Sequence, residues 1–207
     1  MSFEIDVTLR RGERVLATRF ASGAGLVALF GPSGAGKTSV IEMIAGLVRP
    51  DRGRIVVLGR VLFDSEQAID LPPEARACGY IPQDGLLFPH LDVRANLLFG
   101  SKRDANGERA MPLEEAVGFL GIGGLLDRLP RTLSGGEARR VAIGRALLSG
   151  PDVLLMDEPL SSLDMARREE ILQLIARTHE RFGIPVLYVS HDRAEIDRLG
   201  CEIIPVG

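Results

Sequence analysis

GPSGAGKT, Gly31 to Thr38, follows the apolar run Leu26–Phe30 and precedes a stretch of helical periodicity, Thr38 to Leu47. A glycine-rich turn between a strand and a helix lets the backbone curl until successive N–H groups point into one hollow, and the helix start adds its own free N–H groups. Such a hollow fits a nucleotide: the backbone cradles the α and β phosphates, Lys37 reaches the β and γ oxygens, and the Thr38 hydroxyl ligates magnesium. Lysine occurs only at Lys37 and Lys102, in a chain that otherwise takes its positive charge from arginine. A compact ammonium at Lys37 thus marks a place that wants a point charge rather than a planar fork.

Upstream of this turn, Phe3, Ile5, Val7 and Leu9 alternate with polar residues, and Arg14 to Phe20 reads as a second half-buried strand after the turn at Gly12. Downstream, the turn RPDRG leads to a strand at Arg54 to Leu58. From Asp84 to Gly150 the periodicity becomes helical, with helices expected at Leu113 to Leu120, Leu125 to Leu129 and Glu137 to Leu148. After Pro151 the alternation returns: strand Val153 to Met156, helix Ala166 to Phe182, strand Val186 to Val189, and a short helix from Asp192. The pattern predicts an α/β fold, a P-loop NTPase core formed by 1–83 and 151–207 with an N-terminal antiparallel β subdomain and an inserted helical subdomain over 84–150.

With 207 residues, 45% of them apolar, the chain can bury one substantial core. A net charge of −3 with interspersed signs offers no field for nucleic acid. The start MSFEIDVTLRRGER lacks a signal-peptide core and the longest apolar runs have strand length, so a cytosolic chain is expected. Cys78 and Cys201 stand in no metal-ligand spacing and read as reduced structural thiols.

Further along, VLLMDEP, Val153 to Pro159, is an apolar strand ending in two carboxylates, which suits a magnesium-organising Asp157 followed by Glu158 as the base that polarises water. Gln83 in YIPQD and His191 in LYVSHD each follow a strand, so both can emerge at the carboxyl edge of a sheet, where α/β ligands sit. Taken singly, a glutamine reads as surface and a histidine as structural; their order with the other motifs favours roles around a γ phosphate. RTLSGGEARR, Arg131 to Arg140, sets a serine and two glycines ahead of a helix, a second phosphate-binding pattern in a chain that already has one.

These motifs in this order resemble the ATP-binding cassette ATPases. The likeness covers nearly the whole chain: Walker A at Gly31 to Thr38, Q-loop at Gln83, signature at Leu133 to Glu137, Walker B ending at Asp157, Glu158, D-loop at Ser161 to Asp164, and switch His191. The resemblance implies a homodimer closing across two ATPs. In each site Gly31, Pro32, Ser33, Gly34, Ala35, Gly36, Lys37, Thr38 and Ser39 of one chain would hold ATP, with Ser134, Gly135, Gly136 and Asp164 of the other facing it. It further implies Mg2+ on Thr38, Gln83 and Asp157, and catalytic roles for Glu158, His191 and Gln83. Partners would be transmembrane permease subunits docking near Gln83 to Val93, with no nucleic acid and no membrane contact except through the permease, at the cytoplasmic face of the cell membrane.

Within the family, Gly59 to Gly100 and LLDRLPRTLSGGEARRVAIGRALL look most like the ATPase of bacterial molybdate importers. Importers of sulfate, iron or polyamines share LPPEAR, FPHL and RAN, because the solute is selected by other subunits. A non-transport cassette ATPase would place long coiled coils between Walker A and signature, or carry two cassettes, and a regulator without catalysis would not need both Glu158 and His191. The chain departs from the family in three places. Arg10 and Arg11 stand where an aromatic commonly stacks on adenine, so Arg11 is expected to stack in its stead. Arg139 stands where glutamine is common, a change expected to alter only local helix contacts. Molybdate ATPases usually continue into a small β-rich regulatory domain beyond the point corresponding to Gly207. Finally, Leu86, Leu87, Phe88 and Leu91 lie in a proline-broken segment and are expected to be partly exposed, as a groove for a helix of the permease.

Overall fold

In the computed structural model, which describes residues 1–84, 87–101, 111–161 and 163–206, two sheets share the chain. The antiparallel one is built from β1 (Phe3–Arg11), β2 (Arg14–Ser22), β4 (Arg52–Val57), β5 (Arg60–Asp64) and the short β6 (Ile69–Asp70), in the order β2-β1-β4-β5-β6. The parallel one runs β10-β3-β9-β8-β7, with β3 at Leu26–Phe30, β7 at Cys78–Ile81, β8 at Val153–Asp157, β9 at Val186–Ser190 and β10 at Glu202–Pro205. Helix α1 (Lys37–Ala45) follows β3; α2 (Val93–Leu98), α3 (Leu113–Leu120) and α4 (Gly135–Leu148) lie between β7 and β8; α5 (Met165–Phe182) and α6 (Arg193–Leu199) complete the alternation. The α/β fold with an antiparallel β subdomain and an inserted helical segment is therefore the observed one.

The inner strands β8 and β9 of the parallel sheet are buried at every residue because both faces are covered. Along β8, Val153 and Leu155 join the core that includes α1 and the antiparallel sheet, while Leu154 and Met156 join the core of α3, α4 and α5. Strand alternation divides β9 the same way, Leu187 and Val189 on one side and Val186 and Tyr188 on the other. Asp157 continues the Val153–Leu155 parity, which turns it toward the α1 side.

The expected helix at Leu125 to Leu129 does not form. A single 3-10 turn covers Gly123–Leu125, and the carbonyls of Leu126 and Arg128 accept from the amides of Arg94 and Val93, each at 2.9 Å. Carbonyls spent on the free N–H groups that open α2 are not available for a helix of their own, and Pro130 closes the segment. The hairpin β5–β6 and the edge strand β10 had no sequence reading.

Arg76 ties this scaffold to the P-loop helix. Its guanidinium, with a side chain only 1% exposed, donates to the carbonyls of Met43 (2.7 Å) and Ile44 (3.1 Å) at the end of α1, to Leu71 O (2.7 Å) and to Asp70 Oδ1 (3.0 Å). Burial pulls its pKa below the ordinary arginine value, and Asp70 opposes the shift. Arg76→Ala leaves those carbonyls unsatisfied; the expected loss is about 3 kcal/mol. A thermal melt should show Tm lowered by roughly 6–12 °C for a chain of this size, and a fall below about 2 °C would mean that water replaces the guanidinium.

Candidate functional site

Strand register brings the sequence motifs to one edge. Phe30 of β3 pairs with Ser190 of β9, Asp157 of β8 with Val189, and Ile81 of β7 with Met156. The chain therefore leaves β3, β9, β8 and β7 at the same height, and the glycine loop, His191, Asp157–Glu158 and Gln83 follow side by side. With strands about 4.8 Å apart, the row from β3 to β7 spans roughly 14 Å, the length scale of a nucleotide's phosphates and the groups around them.

The loop is held open by glycine. Gly34 (φ +82°) and Gly36 (φ +95°) adopt left-handed backbone, and a Cβ on Gly36 would strike Leu16 at 2.6 Å, whereas one on Gly34 would meet open space. Gly36 caps α1 with no side-chain hydrogen bond, and the first turn carries no acid, so the amides there remain free for an anion. Lys37 is 4% exposed, and its Nζ donates to the carbonyls of Gly31 (2.8 Å) and Pro32 (2.9 Å), folding the ammonium over the loop. Pro32, Ser33, Gly34 and Thr38 are exposed, while Gly31, Ala35, Gly36 and Ser39 are half-buried.

Asp157 is buried, and its Oδ1 has no hydrogen-bond partner. Burial raises its pKa, Glu158 and Glu42 add to the rise, and the Thr38 hydroxyl and Lys37 oppose it. An oxygen-only donor set with one buried carboxylate oxygen left over beside a threonine hydroxyl suits a hard divalent cation such as Mg2+. Beyond it, Glu158 sits at φ +43°, a strained value for a residue with a Cβ, held by its amide on Val189 O (3.1 Å) and its carbonyl on the Ser161 hydroxyl (2.9 Å). The turn aims its carboxylate at His191, with Nδ1 and Oε1 3.1 Å apart. Among the described residues, therefore, Lys37, Thr38, Asp157, Glu158 and His191 share the edge, with exposed Gln83 at its β7 end.

Ser134, Gly135 and Gly136 stand elsewhere. No hydrogen bond joins them to Gly31–Thr38; a Cβ on Gly135 would come 3.0 Å from Leu163, and one on Gly136 3.4 Å from Arg167. Ser134 and Glu137 form a capping box, Ser134 N donating to Glu137 Oε2 (2.7 Å) and Glu137 N to Ser134 Oγ (3.4 Å), and the first of these bonds is the main cause of the lowered Glu137 pKa. The box shapes the turn and leaves the first two helical amides, Gly135 and Gly136, without intrahelical acceptors. Asp164 caps α5 through Arg167 N (3.0 Å) and is exposed; Ser162 beside it lies outside the described residues.

One expectation is corrected. Arg139 makes more than local helix contacts: 7% exposed, it donates to Pro82 O (3.0 Å) and Gln83 O (2.6 Å), so a guanidinium on the signature helix grips the backbone of the Gln83 loop. Its place in the buried stripe Gly136, Arg139, Ile143 was the available signal. Arg11, its side chain 60% exposed, pairs with Glu42 of α1 at 3.6 Å. In the proline-broken segment, Leu87, Phe88 and Leu91 are half-buried, and Leu86 lies outside the described residues. Phe88 meets Phe99 at a tilt of 48° (centroids 4.2 Å apart) under the Arg145 guanidinium, and Phe99, at 55% exposed, adds to the apolar surface.

A family model described as ABC transporter matches residues 20–161. The chain is 57% identical over 196 residues, 95% of its length, to the molybdenum import ATP-binding protein ModC of Paramagnetospirillum magneticum, and 57% identical over 201 residues to the ModC of Rhodospirillum rubrum. It spans about half the length of these curated relatives, 54% of each. Among solved structures it superposes, with a TM-score of 0.76 and 27% identity, on the dimeric post-hydrolysis state of the ATP-binding cassette MJ0796 bound to ADP and Pi, covering 100% of this chain and 94% of that one.

Asp157 supplies a test of the cation reading that needs no turnover. Its folded-state pKa lies above its unfolded one, so stability falls as pH rises through that window and the ionised carboxylate costs stability at neutral pH. Asp157→Asn should raise Tm at pH 7 without nucleotide, lose that advantage below the ordinary aspartate range, and gain less Tm than the wild type when Mg2+ and ATP are added. An unchanged or lowered Tm at pH 7 would remove the argument.

Proposed function

The chain belongs to the ABC transporter family, and from that premise we propose that it is the ATP-hydrolysing subunit of an importer, its solute molybdate, working as a pair of chains that close on two ATPs and drive separate transmembrane subunits. The observation that carries the hydrolytic part is the Glu158–His191 contact of 3.1 Å at the edge that also holds Lys37, Thr38 and Asp157. The molybdate assignment rests on the names of relatives 57% identical to it.

In this reading the amides around Gly34, Gly36 and Lys37 bind the phosphates, and the Lys37 ammonium exchanges the carbonyls of Gly31 and Pro32 for β and γ oxygens. Thr38, Asp157 and Gln83 would hold Mg2+, which would supply charge to offset that of the phosphates. Glu158 takes a proton from the attacking water, and His191 holds the carboxylate in place while its remaining ring nitrogen is free for the γ phosphate. Residues 1–83 and 151–207 act as the nucleotide-binding body and 84–150 as the segment that carries the signature.

Ser134 to Gly136 serve the ATP of the second chain. The amides of Gly135 and Gly136 have no intrahelical acceptor, and the turn packs toward Leu163 and Arg167 of its own chain, so in this reading it completes a site only when another chain presents one. Loss of the γ phosphate removes the charge each signature turn holds and lets the pair open. Among the described residues no helix is long and apolar enough to cross a membrane. The printed names of its relatives, import ATP-binding proteins, support placing the chain at the cytoplasmic face of the cell membrane, attached through the permease. Docking falls to the Phe88–Phe99 pair and its neighbours from Gln83 to Val93.

Glu158→Gln keeps the cation site at Asp157 and removes the base. ATP binding should remain while steady-state turnover falls by at least about 100-fold, and dimers should accumulate with ATP in gel filtration. Turnover within a few-fold of wild type would rule Glu158 out. For docking, Phe99→Ala should lower Tm by no more than about 2–4 °C, the scale of one lost ring pair, and should weaken assembly with the transmembrane subunits; retained assembly would remove the ring from the interface.

A further inference from the structure

One buried polar cluster lies behind His191 and has no part in the chemistry so far. Glu195, in the first turn of α6 with its side chain 12% exposed, accepts at a single oxygen, Oε2, from both Tyr188 Oη (2.8 Å) and Ser190 Oγ (2.7 Å). Tyr188 and Ser190 are 1% and 3% exposed, and burial, then Glu195, raises the tyrosine's pKa. Its other oxygen lies 3.6 Å from Arg168 Nη1, which is also 3.5 Å from Asp192 Oδ2. Arg168 Nε in turn donates to Leu163 O at 2.9 Å, in the loop that a Cβ on Gly135 would touch.

The cluster brackets His191. Ser190 Oγ, fixed by Glu195, accepts from Asp192 N at 2.9 Å, so the residues on either side of the histidine are both pinned while its own side chain is 57% exposed. A capping role does not account for Glu195, because Asp192 already caps α6 by accepting from Ala194 N at 2.9 Å. What the carboxylate does is hold the turn that delivers the imidazole to Glu158.

We propose that Glu195 is a positioning residue for His191, and that through Arg168 it links the His191 turn to the Leu163 loop and so to the start of the signature helix. The functional consequence rests on the reading of Glu158 and His191 given above. The path runs Leu163, Arg168, Glu195, Ser190, His191, Glu158, each step a hydrogen bond, an ion pair or a chain neighbour, and Leu163 stands 3.0 Å from where a Cβ on Gly135 would lie. A partner pressing on the signature and Leu163 loop would then bear on the histidine that holds the base.

The experiment uses the full chain and the variants Glu195→Ala and Ser190→Ala, with His191→Ala to assign the histidine signals among the three histidines present. Two readouts are taken: imidazole NMR signals across pH without nucleotide, and kcat and KM for MgATP. Both variants should shift the His191 signals and leave those of His90 and His179 in place; kcat should fall by about tenfold with KM within about twofold. Unmoved His191 signals, or kcat within about twofold of wild type, would overturn the proposal; a loss carried by KM would assign the cluster to nucleotide binding instead and overturn it too. If Glu195→Ala fails to fold, Ser190→Ala, which trims one small side chain, carries the same readouts. A wild-type chain without ATP hydrolysis would count against the enzymatic reading, while the NMR arm would still decide whether Glu195 positions His191.

Discussion

A parallel sheet buried on both faces has no place for charge except at its ends, and that constraint governs the rest of the molecule. β8 and β9 are buried at every residue. Polar groups can appear only where the strands stop, and the register stops β3, β9, β8 and β7 together. The glycine loop, His191, Asp157, Glu158 and Gln83, which lie up to 160 residues apart in sequence, become neighbours because hydrogen-bonded strands cannot be offset without exposing apolar side chains.

The site so formed is held under tension. Asp157 keeps an unpartnered oxygen in a buried position, Glu158 occupies a backbone conformation that side chains disfavour, and the Lys37 ammonium leans on carbonyls of its own loop. The unpartnered oxygen and the left-handed backbone each cost stability, whereas the Lys37 ammonium is satisfied by its two carbonyls. Groups already in place need little rearrangement when charge arrives, and the surrounding core, close-packed on both faces of the sheet, supplies the stability that tolerates them.

Guanidinium groups carry most of the long-range order outside the core. Arg76 closes the end of α1, Arg139 fastens the signature helix to the Gln83 loop, and Arg168 bridges the Leu163 loop and α6. In each case the rigid fork satisfies backbone carbonyls at the end of an element, where no intrahelical or ladder donor is available. The helical segment is thereby fastened to the edge that carries Gln83.

The sequence alone determined what depends on local chemistry: the strand–glycine loop–helix unit at Leu26–Leu47, the alternating strand Phe3–Leu9, the apolar strands ending at Asp157 and Ser190, and the order of motifs that marks the family. These were legible because periodicity, turn residues and motif spacing are properties of short windows. Tertiary structure decided what depends on who lies opposite. The Leu125–Leu129 segment has helical periodicity, yet its carbonyls go to the start of α2. Arg11 meets Glu42, Arg139 meets the Gln83 backbone 56 residues away, and Glu195 finds two hydroxyls and an arginine. No window of sequence contains both partners of such a bond, since a side-chain donor and a distant carbonyl find each other only after the sheet has fixed the distance between them.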